Sequence, residues 1–245
     1  MTELREVDPD WAVTRPAVLR DALGVGIATG AYGLSFGAIS TASGLSVLQT
    51  CFLSLVLFSG GSQFALAGVV GGGGAPMTGA ATALLLGVRN GFYGLRLSGL
   101  LRLRSWQRPL AAQIVIDEST AMSVVRTSRP AARLAFWSTG ISVFVLWNLA
   151  TVIGAFAADA LRDPRVLGLD AAAPAAFLAL MSPRLRSREP RIVAAVAAVV
   201  ALASVPLVPT GVPVLLAAAV AVVFGFGSTR REPDDEPLAP EEVNA

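Results

Sequence analysis

Between Asp21 and Arg89 the chain carries no formal charge, and most of what fills that gap is Ala, Leu, Val, Gly and Phe. Further apolar runs follow, separated by short arginine-containing segments. Apolar stretches fall at Ala22–Ala42, Leu48–Val70, Met77–Leu101, Leu110–Val125, Leu134–Ala158, Asp170–Ser182, Ile192–Leu207 and Val212–Phe226. About 20 apolar residues cross the hydrocarbon core as a helix. The pattern therefore predicts an all-α polytopic membrane protein with about seven or eight transmembrane helices, some of them short or discontinuous. A transmembrane β-barrel requires period-two alternation with polar lumen positions, and these continuous runs lack it.

Polar residues inside the apolar runs are few, and they cluster. Phe58-Ser59-Gly60-Gly61-Ser62-Gln63-Phe64 places serines, an amide and paired glycines at mid-run. Lipid offers no hydrogen bonds, so this centre is satisfied by protein, water or a ligand. Two readings stand: close helix packing across Gly60 and Gly61, or a broken helix that meets a solute. The first run carries Gly26/Gly30 and Gly33/Gly37, small-xxx-small pairs that fit either close packing or a discontinuous helix lining a cavity. Arg89 and Asn90 lie about halfway along the third run, followed by Tyr93 and Arg96. A guanidinium at that depth needs a carboxylate or an aqueous cavity. Asp117 and Glu118 lie inside Leu110–Val125. Adjacent helical residues point about 100° apart, so one acid can meet Arg89 while the other faces elsewhere. This run is also short enough to be re-entrant or interfacial, and then both acids are wet.

Composition sharpens the picture in a few places. Only 15% of the 245 residues are charged, against roughly 25% in a soluble domain. There is no His and a single cysteine, Cys51, which argues against a metal cluster or a redox pair; no cofactor is expected. All 19 basic residues are Arg, so no lysine exists to complete a nucleotide-binding G-x-x-x-x-G-K-S/T loop. The arginines cluster between apolar runs as in cytoplasmic loops, not on a nucleic-acid surface. Residues 1–20 read as a cytoplasmic or interfacial arm with a short helix over Trp11–Leu19. Residues 21–228 read as one transmembrane domain in the lipid bilayer, and 229–245 as a disordered acidic cytoplasmic tail. No cleavable signal peptide is expected. Arginine placement does not choose between seven and eight crossings, which differ in whether Leu110–Val125 spans, but either count keeps the C-terminus inside.

In this order the motifs resemble those of the AzlC/YgaZ permease family, the large subunits of branched-chain amino acid exporters. Tyr32-Gly33-Leu34-Ser35-Phe36-Gly37 resembles the family's first-span motif, and Phe58 to Phe64 its Phe-Ala-Gly-Ala-Ser-Gln-Phe signature. Arg89-Asn90 with Tyr93, then Asp117-Glu118, then Gly168-Leu169-Asp170 with Pro174, Ala176 and Phe177, and finally Gly211-x-Pro213 follow in sequence. Gly87 and the Gly60-Gly61 pair depart from the usual pattern. The resemblance covers about Leu23 to Leu216. It implies a multi-pass protein of the bacterial inner membrane that pairs with a small hydrophobic subunit of the AzlD/YgaH type. The pair exports neutral amino acids such as valine, isoleucine, leucine or methionine.

On that basis the expected substrate contacts are Phe36, Phe58, Gly60, Gly61, Ser62, Gln63, Phe64, Arg89, Asn90 and Tyr93, with Asp117 or Glu118 coupling transport to protons. A zwitterion needs an anion-binding end, a cation-binding end and an apolar pocket. Arg89, or backbone N–H groups near Gly60 and Gly61, suit the carboxylate. Ser62, Gln63 and Asn90 suit the polar end, and Phe36, Phe58 and Phe64 the side chain. No covalent step is implied and an enzyme is not expected. The rivals are a carrier or channel for another small solute, and a membrane scaffold without transport.

Overall fold

The computed structural model of the chain describes residues 5–160, 178, 182–209 and 212–228. It separates into two units, residues 1–181 and 182–245. In the first, the helices are α1 (Trp11–Ala42), α2 (Val47–Val56), α3 (Gly60–Gly71), α4 (Pro76–Leu101), α5 (Arg108–Gln113), α6 (Asp117–Val124) and α7 (Arg129–Ala160). The second contains α8 (Arg188–Ser204) and α9 (Val212–Ser228), which pack against each other. The protein is all-α, and α1 and α7 are long and apolar enough to cross a membrane. The Gly168–Phe177 motif residues, Gly211 and the acidic tail lie outside the described residues.

The expected arm helix and first span are one continuous helix, α1, so the helical period set at Trp11 carries through to Ala42. Gly26, Gly30, Gly33 and Gly37 of α1 leave no gap for a cavity. A Cβ on Gly30 would lie 2.6 Å from the Leu146 Cβ. On Gly33 it would strike the Trp147 carbonyl, and on Gly37 the Thr151 carbonyl. Gly154 of α7 answers from the other side, with the Leu34 carbonyl where its Cβ would stand. Lipid supplies no hydrophobic drive between helices, so backbone approach through small residues is what joins α1 to α7. Between the two possibilities left by the sequence, packing is the one realised.

The turn from α1 to α2 uses Gly44 at φ +95°, in the left-handed region that suits glycine. A capping box then starts α2: Ser46 Oγ accepts from Gln49 N at 3.2 Å, and Ser46 N donates to Gln49 Oε1 at 2.8 Å. At the far end of α4, Arg102 takes a left-handed φ of 45°, which stops the helix. Arg133 of α7 covers the exposed carbonyls, its guanidinium donating to Leu101 O at 2.7 Å and Arg102 O at 2.8 Å.

Residues 5–10 are clasped to the start of α7. Arg5 N donates to Thr127 O at 3.1 Å and Arg129 N to Arg5 O at 2.8 Å. Glu6 pairs with Arg129 at 2.7 Å, and Ser128 Oγ donates to Asp8 Oδ2 at 2.7 Å. The Ser128 hydroxyl holds the Asp8 carboxyl below its ordinary pKa; desolvation opposes this, while the Asp10 N–H, Thr14 and Arg5 assist. A depressed carboxyl stabilises the fold above its unfolded pKa and loses that contribution as pH falls through the folded value. Acidification from neutrality to about pH 3 is therefore expected to loosen the clasp. Amide exchange at Arg5 and Arg129 reads the loosening, and Asp8→Asn removes its pH dependence. Identical acid sensitivity in that variant contradicts the assignment to Asp8.

Candidate functional site

The run Leu48–Val70, expected as one span whose centre either packs closely or breaks, is two helices. α2 stops at Val56 and α3 begins at Gly60, leaving Leu57, Phe58 and Ser59 non-helical. Helices of 10 and 12 residues rise only about 15 and 18 Å, and neither alone crosses about 30 Å of hydrocarbon. A break frees carbonyls that lipid cannot satisfy. Two glutamine amides meet them. Gln63 Nε2 donates to Leu57 O at 2.7 Å and to Ser54 O at 3.3 Å, and Gln113 Nε2 donates to Leu55 O at 2.7 Å. Gln63 is completely buried, and both amide protons are engaged with the chain's own backbone. Its first task is to hold the break.

Replacing Gln63 with leucine is expected to cost about 2–4 kcal/mol, because two buried carbonyls lose their donor at once. Thermal unfolding in detergent measures this. A melting temperature equal to that of the unmodified protein rules out the capping role.

A second break divides Leu110–Val125. α5 ends at Gln113, α6 starts at Asp117, and Ile114 to Ile116 lie between. Ser119 bridges it, its hydroxyl donating to Ile114 O at 2.7 Å and accepting from Ile116 N at 3.1 Å. Arg89 of α4 joins the two breaks. Its Nη1 lies 2.9 Å from Asp117 Oδ2, with each side chain about one-third exposed (33% and 32%). Its Nη2 lies 3.5 Å from where a Gly61 Cβ would stand. Gly60 leaves room for the Trp147 indole, whose Cη2 is 3.0 Å from the corresponding Cβ position. Each glycine of the pair thus admits one large neighbour to the start of α3.

The first turn of α3 has no side-chain cap. Its first intrahelical bond is Gln63 N to Ser59 O at 2.9 Å, so the amides of Gly60, Gly61 and Ser62 precede the ladder. With Arg89 beside them and the positive end of the helix dipole behind, this corner favours an anion. Several buried polar atoms around the breaks have no hydrogen-bond partner among the described residues. They include Ser59 Oγ, Ser62 Oγ, Gln63 Oε1, Asn90 Oδ1, Asp117 Oδ1 and Thr120 Oγ1. Buried polar groups are normally paired, so their concentration here marks a place completed by water or a ligand.

A cavity of about 380 Å³ opens alongside. Its apolar wall includes Val56, Phe58, Ala83, Leu84, Val88 and Val115, and its polar contributions come from Ser59, Asn90 and Gln113. Arg89 and Asp117 are adjacent to this cavity and outside its lining; Ser59 lines it, while Gly61, two residues on, faces Arg89.

The sequence-predicted residues thus divide. Phe58, Gly60, Gly61, Ser62, Gln63, Arg89, Asn90 and Asp117 gather around the first break and the cavity. Phe36 and Phe64 are 0% and 1% exposed and pack with Trp147: Phe36 meets Phe64 edge-on at 5.6 Å and stacks on Trp147 at 6.3 Å. They form the aromatic floor behind the break. Tyr93, one turn beyond Arg89, packs against the cluster of Leu97, Leu101 and Phe136. Glu118, next along α6, makes no ion pair among the described residues, whereas Asp117 pairs with Arg89. Gln113 and Thr120 were not singled out as site residues. Gln113 carried a legible signal, an amide just before the β-branched run Ile114–Ile116. Among the described residues no group of three or more His, Cys, Asp or Glu is placed to hold a metal ion.

The family model for the AzlC protein matches residues 24–161, which include both breaks, α4 and the Arg89–Asp117 pair. The inner membrane protein YgaZ of Escherichia coli (strain K12) is 30% identical over 204 residues, covering 80% of this chain and 83% of that protein. No solved structure matches.

Proposed function

This chain belongs to the AzlC family of membrane proteins, and from that premise we propose that it exports branched-chain or similar neutral amino acids by secondary active transport. In this proposal it is the large subunit of a two-component permease of the bacterial inner membrane. It crosses the bilayer seven or eight times, works with a small hydrophobic subunit and couples efflux to protons.

One observation carries the proposal: unpartnered buried polar atoms are concentrated between two helix breaks, beside an apolar cavity. A neutral amino acid brings what this arrangement lacks. Its carboxylate meets the free N–H groups of Gly60, Gly61 and Ser62 and the Arg89 guanidinium. Its ammonium finds acceptors in Asn90 Oδ1 and Ser59 Oγ. Its aliphatic side chain lies against Val56, Phe58, Ala83, Leu84, Val88 and Val115. The cavity volume of about 380 Å³ falls at the lower end of the usual range for small-molecule sites, which favours a small branched solute over a large one. Broken helices whose N-termini face a substrate carboxylate are a recurring solution for amino-acid carriers.

The test is flux in proteoliposomes containing the chain and its small partner. Labelled valine, isoleucine, leucine and methionine are expected to move against their gradients when a pH difference is imposed, and the movement is expected to stop when a protonophore collapses it. Flux unaffected by collapse points to a channel or uncoupled carrier, and no flux of any of the four refutes the proposed function.

A further inference from the structure

We infer that Gly87 sets which side-chain shapes the site admits. By carrying no side chain it leaves room for the second γ-carbon of a β-branched substrate, valine or isoleucine. This rests on the transport function proposed above and names the specificity-determining position of that same site.

A glycine inside a helix costs stability relative to alanine, so its place in the interior of α4 needs a reason. Helix packing supplies one for Gly79, whose missing Cβ would stand 3.3 Å from the Leu66 carbonyl oxygen. It supplies none for Gly87. A Cβ there would meet Ser62 Oγ at 3.7 Å, an ordinary contact, and no backbone of another helix within 4 Å. What Gly87 faces is the cavity, whose wall it shares with Ala83 and Leu84 about one turn before it and with Val88 beside it.

Ser62 stands across the space that a Gly87 side chain would fill. Its hydroxyl is completely buried and has no hydrogen-bond partner among the described residues, and its N–H is one of the amides assigned above to the substrate carboxylate. Ser59, on the cavity wall, carries a second buried hydroxyl without a partner. Gly87 therefore borders the carboxylate end of the site. In an amino acid the β-carbon is two bonds from the carboxylate carbon, so the Cα–Cβ stretch of the substrate lies over Gly87. Valine and isoleucine branch at that carbon, leucine branches one bond further out, and methionine does not branch. A methyl group on Gly87 takes the volume that the extra γ-carbon needs, and the site then favours side chains unbranched at Cβ.

The experiment measures kcat/KM for labelled valine, isoleucine, leucine and methionine in proteoliposomes containing both subunits, with thermal unfolding in detergent alongside. Gly87→Ala is expected to lower the values for valine and isoleucine relative to leucine by about 10-fold or more, the discrimination that one methyl-sized group gives in an apolar pocket. It is expected to melt no lower than the unmodified protein, since the new methyl meets no backbone. Gly94→Ala is the control: it lies on the same helix with nothing within 4 Å of its Cβ position and outside the cavity lining, and its ratios are expected to match those of the unmodified protein. An unchanged valine-to-leucine ratio in Gly87→Ala, an equal loss of all four solutes, or the same shift in Gly94→Ala overturns the inference while leaving amino-acid transport intact. Failure of Gly87→Ala to fold also overturns it, because packing then accounts for the glycine. Absence of flux of all four in the unmodified protein overturns the transport function itself.

Discussion

Arg89→Ala is expected to abolish amino-acid flux and to destabilise the protein by about 1–3 kcal/mol. Removing one partner of a fully buried pair costs about 3–5 kcal/mol; this pair is about one-third exposed, and solvent screening lowers the figure. Asp117 is then left without its cation, although its place at the first residue of α6 softens the loss through the helix dipole. Arg89→Lys keeps the charge but not the planar fork, so it is expected to fold almost normally and to transport poorly. The informative variant is Arg89→Ala with Asp117→Ala. Removing both charges recovers most of the stability, because no lone ion remains, but restores no transport, because the carboxylate of the substrate has lost its cation. Flux by that double variant contradicts a substrate role for Arg89 and reduces the pair to a strut.

The second large effect lies far from the breaks. Gly37→Ala is expected to cost about 3 kcal/mol or more, since the added methyl meets backbone on α7 and overpacking of this kind has no side chain to displace. The Thr151 carbonyl stands in the way, and the Ala155 amide nitrogen is 2.7 Å from the Cβ position. Gly24→Ala is the control. Nothing lies within 4 Å of its Cβ position, so the better helix former is expected to be neutral or to add about 0.5–1 kcal/mol. Reversible unfolding in bicelles measures both. Equal stability of the two variants contradicts the glycine-mediated joint between α1 and α7.

Much of this was legible because membrane insertion writes itself into composition. The charge-free stretch from Asp21 to Arg89, and the spacing of later apolar runs, placed helices at or near their observed positions. Exceptional residues were also legible: a single arginine and two acids inside apolar runs stand out, and Arg89 with Asp117 is a pair that the sequence had raised. What could not be read was the form of each interruption. Paired glycines at 60 and 61 are compatible with tight packing and with a break, and the deciding partners, Gln113 and Trp147, are distant in sequence. The same holds for α1, where the small-residue pairs fit two architectures until the carbonyls of Trp147 and Thr151 are placed against them. Gln63 shows a subtler case. A buried amide in a polar motif reads as a ligand contact, yet its two protons go to the carbonyls that the break exposes. Nor did the local signal at Trp11–Leu19 say whether that helix stops or continues, because no glycine or capping residue intervenes before Asp21.

In the proposed function a neutral amino acid occupies the space between the two breaks, carboxylate toward the start of α3. Cysteine protection tests it most directly. With Cys51 replaced by alanine, Ser59→Cys places one thiol on the cavity wall, and its rate of alkylation by a small water-soluble reagent is followed in membranes containing the partner subunit. L-valine is expected to slow the alkylation in a saturable way, and valinamide, which lacks the carboxylate, to leave it unchanged. Alkylation indifferent to L-valine, or slowed equally by valinamide, contradicts the site.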